Sequence, residues 1–130
     1  MTATPDRSSM DALLRQFYAA RTGDRLEDLC AMFAPEARLR ISGASEGKPI
    51  GVLARGTAEI RSWLGVMVKT FRLKHFEVLS TIIDGEDAAV HWRADIESRV
   101  TGMSVPTELV DLVHARDGLI ASYQEFFVPI

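Results

Sequence analysis

The stretch "VDLVHARDGLIASYQEFF" (residues 110–127) decides the fold. Two runs rich in β-branched, aliphatic and aromatic residues flank an Asp-Gly pair, the short-range signature of a β-hairpin. The turn can close in two ways. A two-residue loop at Asp117-Gly118 pairs Arg116 with Leu119 and sets Asp111 opposite Gln124. A three-residue loop, with Gly118 left-handed in a bulge, pairs Ala115 with Leu119. That second register puts Leu109 opposite Glu125 and Asp111 opposite Tyr123, all on one face.

Upstream of the hairpin, "KHFEVLSTII" (74–83), "AAVHWRADIES" (88–98) and "TELVDLVHA" (107–115) have the same strand composition, with "DGED" (84–87) as a turn. Within them, "HWRADIES" (91–98) alternates strictly. His91, Arg93, Asp95 and Glu97 share one face, and Trp92, Ala94 and Ile96 the other. An ordinary amphipathic strand turns the apolar set inward; the reverse buries an arginine with carboxylates.

The first half reads as helices. Met10, Leu13, Leu14 and Phe17 recur at helical spacing after Ser8 and Ser9, either of which can cap. "TGD" (22–24) breaks that helix, and Leu26, Leu29, Cys30 and Phe33 form the stripe of a second that Pro35 ends. "ARLRI" (37–41) is a short strand, and "SGASEGKPIGVLARG" (42–56) reads as a long polar loop, a length typical of lids or disorder. Thr57 can cap a third helix with Ile60, Trp63, Leu64, Met67 and Phe71 on one side. Helices segregated from a run of antiparallel strands define an α+β chain.

Composition narrows the function. With 130 residues the chain is long enough for one domain spanning 1–130 with a pocket in its core, residues 1–7 being expected as a disordered tail. The net charge of −3 offers no basic surface for nucleic acid or anionic lipid. The lone Cys30 excludes a disulfide framework, and the start lacks a signal peptide, so a cytoplasmic protein is expected. His75, His91 and His114 fall on different strands without zinc-type spacing, and no glycine-rich phosphate loop follows a strand; no metal and no cofactor are expected. "ARTGDR" and "KHFE" read as solvated charge.

"FYAARTGDRLEDLCAMFAPEARL" (17–39), "GTAEIRSWL" (56–64) and the closing hairpin together resemble the nuclear transport factor 2-like superfamily, in its SnoaL-like branch, over roughly residues 8 to 128. The resemblance implies a cone: a curved antiparallel sheet wrapped around three helices from the first half of the chain, with an apolar pocket in the open end. It also implies a homodimer packed through the convex sheet face. The hairpin of the family favours the three-residue turn.

Two relatives bear on the site. Ketosteroid isomerase implies a protonated pocket aspartate, matched by Asp111, but Phe17 stands where its oxyanion tyrosine would be (Tyr18 is adjacent) and Ile41 where its general base would be. Limonene-epoxide hydrolase implies an acid, a bridging arginine and a base, matched by Asp95, Arg93 and Glu125. Its water-holding tyrosine and asparagine correspond to Leu39 and Ile41, which cannot hydrogen-bond. The expected site is therefore catalytic Arg93, Asp95 and Glu125 in a pocket walled by Phe17, Leu39, Ile41, Trp63, Met67, Leu109, Asp111 and Tyr123. The expected partner is a small apolar molecule, bound either for acid–base chemistry (epoxide opening, isomerisation or cyclisation) or without chemistry. Trp92, Ala94, Ile96, Gln124 and Phe126 are expected to form the dimer patch on the convex face.

Overall fold

A computed structural model describes residues 7–45 and 47–130. Two helices, α1 (Arg7–Thr22) and α2 (Leu26–Ala31), lead into β1 (Phe33–Ser45) and β2 (Lys48–Arg55). A third helix, α3 (Gly56–Thr70), is followed by β3 (Phe71–Asp84), β4 (Asp87–Ser98), β5 (Ser104–Arg116) and β6 (Leu119–Pro129). The strands form one open, six-stranded, curved sheet in the order β2-β1-β6-β5-β4-β3. All neighbours are antiparallel except β1 and β6, which run parallel. The helices cover the concave face, giving the cone that the family resemblance implies.

The expected loop 42–56 is instead a hairpin. β1 runs on through Ser45 and β2 returns beside it, Ser42 facing Gly51 and Arg38 facing Arg55. Gly47, at φ 77°, makes the turn. The composition is polar because this edge ribbon is largely exposed, not because it lacks structure. Glu46 lies outside the described residues, as do residues 1–6 of the expected tail; Arg7 is already the first residue of α1. The second helix stops at Ala31, ahead of Pro35, and Phe33 opens β1.

The closing hairpin takes the two-residue turn instead of the three-residue one that the resemblance favours, and a bulge beyond it then departs from both foreseen strand registers. Asp117 and Gly118 both have positive φ (54° and 79°), the geometry of a two-residue type I′ turn, and Arg116 pairs with Leu119. Ala115 pairs with Ile120 and His114 with Ser122, so Ala121 bulges out of the ladder. That bulge shifts the remainder by one residue and sets Asp111 directly opposite Glu125.

A second bulge lies in β3. Lys74 pairs with Asp95 and Glu77 with Arg93, so two residues of β3 face one of β4. His75 takes the left-handed position (φ 54°), and Phe76 packs against Tyr18 and Trp92. The core is built from Met10, Leu14, Phe17 and Tyr18 of α1, Ile60 and Leu64 of α3, and the inward residues of the sheet, Leu39, Trp92, Leu109 and Tyr123 among them.

Candidate functional site

α1 places its apolar stripe, Met10, Leu14 and Phe17, against the sheet, and the next residue on that stripe is Arg21. A helical period carries the guanidinium into the core with the apolar residues. There it forms a two-pronged ion pair with Glu125 of β6: one nitrogen, Nη1, reaches Oε2, and Nη2 donates to Oε1 at 3.1 Å. Arg21 also donates to the Tyr123 hydroxyl at 3.0 Å and lies 5.0 Å from the centre of the Trp92 ring. Both charged side chains are more than nine-tenths buried.

Below this pair lies Asp111 of β5, 0% exposed. Three groups lie within hydrogen-bond distance of its Oδ2: the Tyr18 hydroxyl at 2.5 Å, the Tyr123 hydroxyl at 2.6 Å and the Trp92 indole N–H, which donates, at 2.7 Å. The Tyr123 oxygen is also 2.8 Å from Glu125 Oε2. Asp111 Oδ1 has no hydrogen-bond partner among the described residues.

The two carboxyl groups are driven apart. Burial, and then the Glu125 charge, push Asp111 well above the usual aspartate range; Arg21 and the two tyrosine hydroxyls oppose this without offsetting it. Burial also pushes Glu125 up, but the Arg21 charge and its hydrogen bonds outweigh it and hold Glu125 below the usual range. Burial and the Asp111 carboxyl raise both tyrosines well above their usual range, so they stay protonated.

Above the pair opens a cavity of about 500 Å³. Ile41, Leu64, Met67, Leu109 and Phe127 belong to its wall, while Ile50, Trp63, Val66, Phe71 and Met103 are partly exposed at its mouth. Arg21 and Glu125 are its only charged lining residues among those described. A second cleft, of about 420 Å³, lies between α1 and β3, with Tyr18 in its wall.

Several expectations change here. Arg93 and Asp95 are not in the cavity: Arg93 is exposed and donates to Glu77 at 2.7 Å, and Asp95 pairs with His75 at 2.7 Å, both on the outer face. β4 turns its apolar set inward because Trp92 and Ala94 fill the core, and a period of two then sends Arg93 and Asp95 out. Trp92 and Ala94 therefore leave the expected dimer patch, and Ile96 lines the cavity. Of the expected pocket wall, Ile41, Trp63, Met67 and Leu109 line the cavity; Phe17, Leu39, Asp111 and Tyr123 are buried outside its lining. Asp111, Tyr123 and Glu125 are brought together as neighbours. Tyr18, not Phe17, reaches Asp111. Arg21, read as solvated charge within "ARTGDR", is the buried cation; the 10-14-17-21 stripe was the signal that marked it.

No group of three metal-ligating side chains occurs among the described residues. His75, His91 and His114 each pair with a carboxylate on the outer face (Asp95, Glu108 and Asp87). No described helix is long and apolar enough to cross a membrane.

The curved sheet, its three helices and the cavity between them form a nuclear transport factor 2-like fold. The chain belongs to the SnoaL-like domain family, whose profile matches residues 14–123. Solved structures agree in fold. A candidate isomerase from Bacillus subtilis superposes with a TM-score of 0.79 at 19% identity, over 92% of this chain and 86% of that one. A nuclear transport factor 2-like protein from Burkholderia xenovorans gives 0.76 at 18% identity, over 98% and 92%. A candidate polyketide cyclase from Sinorhizobium meliloti gives 0.62 at 25% identity, over 90% and 97%. No curated protein matches the chain at a significant level.

Proposed function

We propose that the protein binds a small, largely apolar molecule inside the cone, with one oxygen-bearing group of that molecule seated against Arg21 and Glu125. The observation that carries this reading is the cavity itself: about 500 Å³ of mainly aliphatic and aromatic wall with a single buried ion pair as its charged feature. Small-molecule sites combine an apolar lining with a few fixed polar groups in this way. Because Arg21 and Glu125 neutralise each other, a neutral ligand such as a ketone, alcohol or ether suits the site better than an anion.

Trp63, at the mouth, provides the assay. Its fluorescence should change on titration with cyclic ketones and alcohols of graded size. Met67→Trp, which fills the cavity, should weaken binding at least tenfold, while Phe126→Ala on the outer face should leave it unchanged. Equal affinity in the Met67→Trp variant would place the ligand elsewhere.

A second reading, acid–base isomerisation or cyclisation of the bound molecule, is favoured by the opposite proton affinities of Asp111 and Glu125 on either side of Tyr123. Epoxide opening by Arg93 and Asp95 has no support, since both face outward. Turnover of any ligand that binds, lost in Glu125→Gln with binding retained, would separate this reading from simple binding.

The homodimer remains a proposal with a revised surface. Val110, Leu112 and Phe126 are partly exposed on the outer faces of the neighbouring strands β5 and β6, and a second copy packed there would cover them.

A further inference from the structure

We propose that Asp111, Tyr123 and Glu125 form a proton relay ending at the cavity, in which Asp111 holds a proton that the Tyr123 hydroxyl can hand on to Glu125. A count of hydrogens carries the argument. The Tyr123 hydroxyl has one hydrogen, yet its oxygen lies 2.6 Å from Asp111 Oδ2 and 2.8 Å from Glu125 Oε2 while accepting from Arg21 at 3.0 Å. One hydrogen cannot satisfy two ionised carboxylates, so one of the two carboxyl groups carries a second. The Arg21 fork identifies Glu125 as the ionised partner. The raised proton affinity of Asp111 points the same way.

In the resting arrangement Asp111 donates to Tyr123, and Tyr123 donates to Glu125. When both hydrogens move one place, the Asp111 O–H bond breaks as a new Tyr123 O–H bond forms. The old Tyr123 O–H bond breaks as a Glu125 O–H bond forms. No proton is gained or lost, and the negative charge passes from Glu125 to Asp111. The second arrangement is provided for as well. Tyr18, Trp92 and Tyr123 then all donate to Asp111 Oδ2, at 2.5, 2.7 and 2.6 Å, three donors that suit an anionic oxygen better than a neutral one. Glu125, now a neutral acid lining the cavity, can offer its proton to an oxygen of a bound molecule. The groups facing the relay are Tyr18 and Arg21 from α1 and Trp92 from β4, with the apolar Leu39 and Ile41 alongside on β1.

The relay belongs to the ligand-free protein and goes beyond the binding reading, so it is tested without a ligand and can fail separately from it. The measurement is carboxyl 13C NMR of protein labelled at Asp and Glu, from about pH 2.5 to about pH 9, a range that extends to both sides of ordinary carboxylate titration at about 3.9 to 4.3. Asp111 should remain protonated after Glu125 has ionised, and both resonances should trace the same two-step curve, because two coupled sites share macroscopic steps. In Tyr123→Phe the two carboxyl groups stay coupled by charge, but the Asp111 midpoint should fall, because its hydrogen loses its acceptor, while the Glu125 midpoint should rise, because its charge loses a donor. Should that variant not fold, 3-fluorotyrosine at the chain's two tyrosines, Tyr18 and Tyr123, keeps the packing and should shift both carboxyl curves together. An Asp111 that is ionised throughout, an Asp111 midpoint that rises in Tyr123→Phe, or curves indifferent to fluorination would overturn the relay.

Discussion

At position 21 a guanidinium ends an otherwise apolar helix stripe, and the cost of burying it is met by Glu125. Removing the cation alone should therefore hurt more than removing the pair. Arg21→Met leaves a buried carboxylate without a counter-charge and should lose about 3–5 kcal/mol, whereas Arg21→Met with Glu125→Leu should recover most of that loss. Urea melts of the two variants decide it; equal losses would mean that the pair is not coupled. Arg93→Met is the contrast: its exposed pairing with Glu77 is worth at most about 1 kcal/mol, so its midpoint should stay near that of the wild type. Asp111 imposes a pH dependence. Its proton affinity is raised in the folded state, so above about pH 4, where an unfolded aspartate ionises, the folded protein still holds the proton and the unfolded chain does not. Stability should therefore fall as pH rises from about 4 toward the folded-state midpoint. Asp111→Asn should flatten this fall, read from melts across that range. Glu125, lowered by Arg21, acts in the opposite sense: its contribution is present above the ordinary glutamate range and lost as pH falls through its folded-state value.

Individual elements are aimed by irregularities one residue long. The bulge at Ala121 brings Asp111 opposite Glu125, and the bulge at His75 lets Phe76 join Tyr18 and Trp92. His75 occupies a left-handed position that a glycine fills without strain. His75→Gly should leave stability near that of the wild type, since relief of strain offsets the loss of an exposed contact with Asp95. His75→Val, β-branched at positive φ, should lose about 1–2 kcal/mol. A thermal melt in which both variants behave alike would show that the backbone there is not strained. At Gly43 on β1 a Cβ would come within 2.5 Å of the Phe127 ring, which explains why a strand interior carries a glycine beside the cavity.

At the scale of the whole molecule, curvature separates two surfaces. The inner one holds the cavity and its ion pair; the outer one holds the charge pairs of β3–β5 beside the apolar Val110, Leu112 and Phe126. If two copies join through the outer face, Leu112→Lys with Phe126→Lys should convert a dimer to a monomer in sedimentation velocity. Ligand binding should then survive, because the cavity lies on the other side of the sheet. A wild-type protein that sediments as a monomer at micromolar concentration would remove the dimer.

Period and composition by themselves determined the α+β class, the three helices and the four later strands; the inward position of Asp111, Tyr123 and Glu125 came from the family resemblance rather than from period. Alternation fixes which residues share a face, and apolar runs fix where strands lie. The tertiary structure decided which face turns inward and what meets it. "HWRADIES" is an ordinary amphipathic strand, because Trp92 and Ala94 are needed in the core and the buried carboxylates take their cation from α1. That choice depends on a contact 104 residues apart in sequence, Arg21 to Glu125. It also depends on a bulge that no local propensity of Ala121 announces. Strand period is a local property of the chain, whereas the partner of a buried charge is settled only when distant elements compete for the same interior.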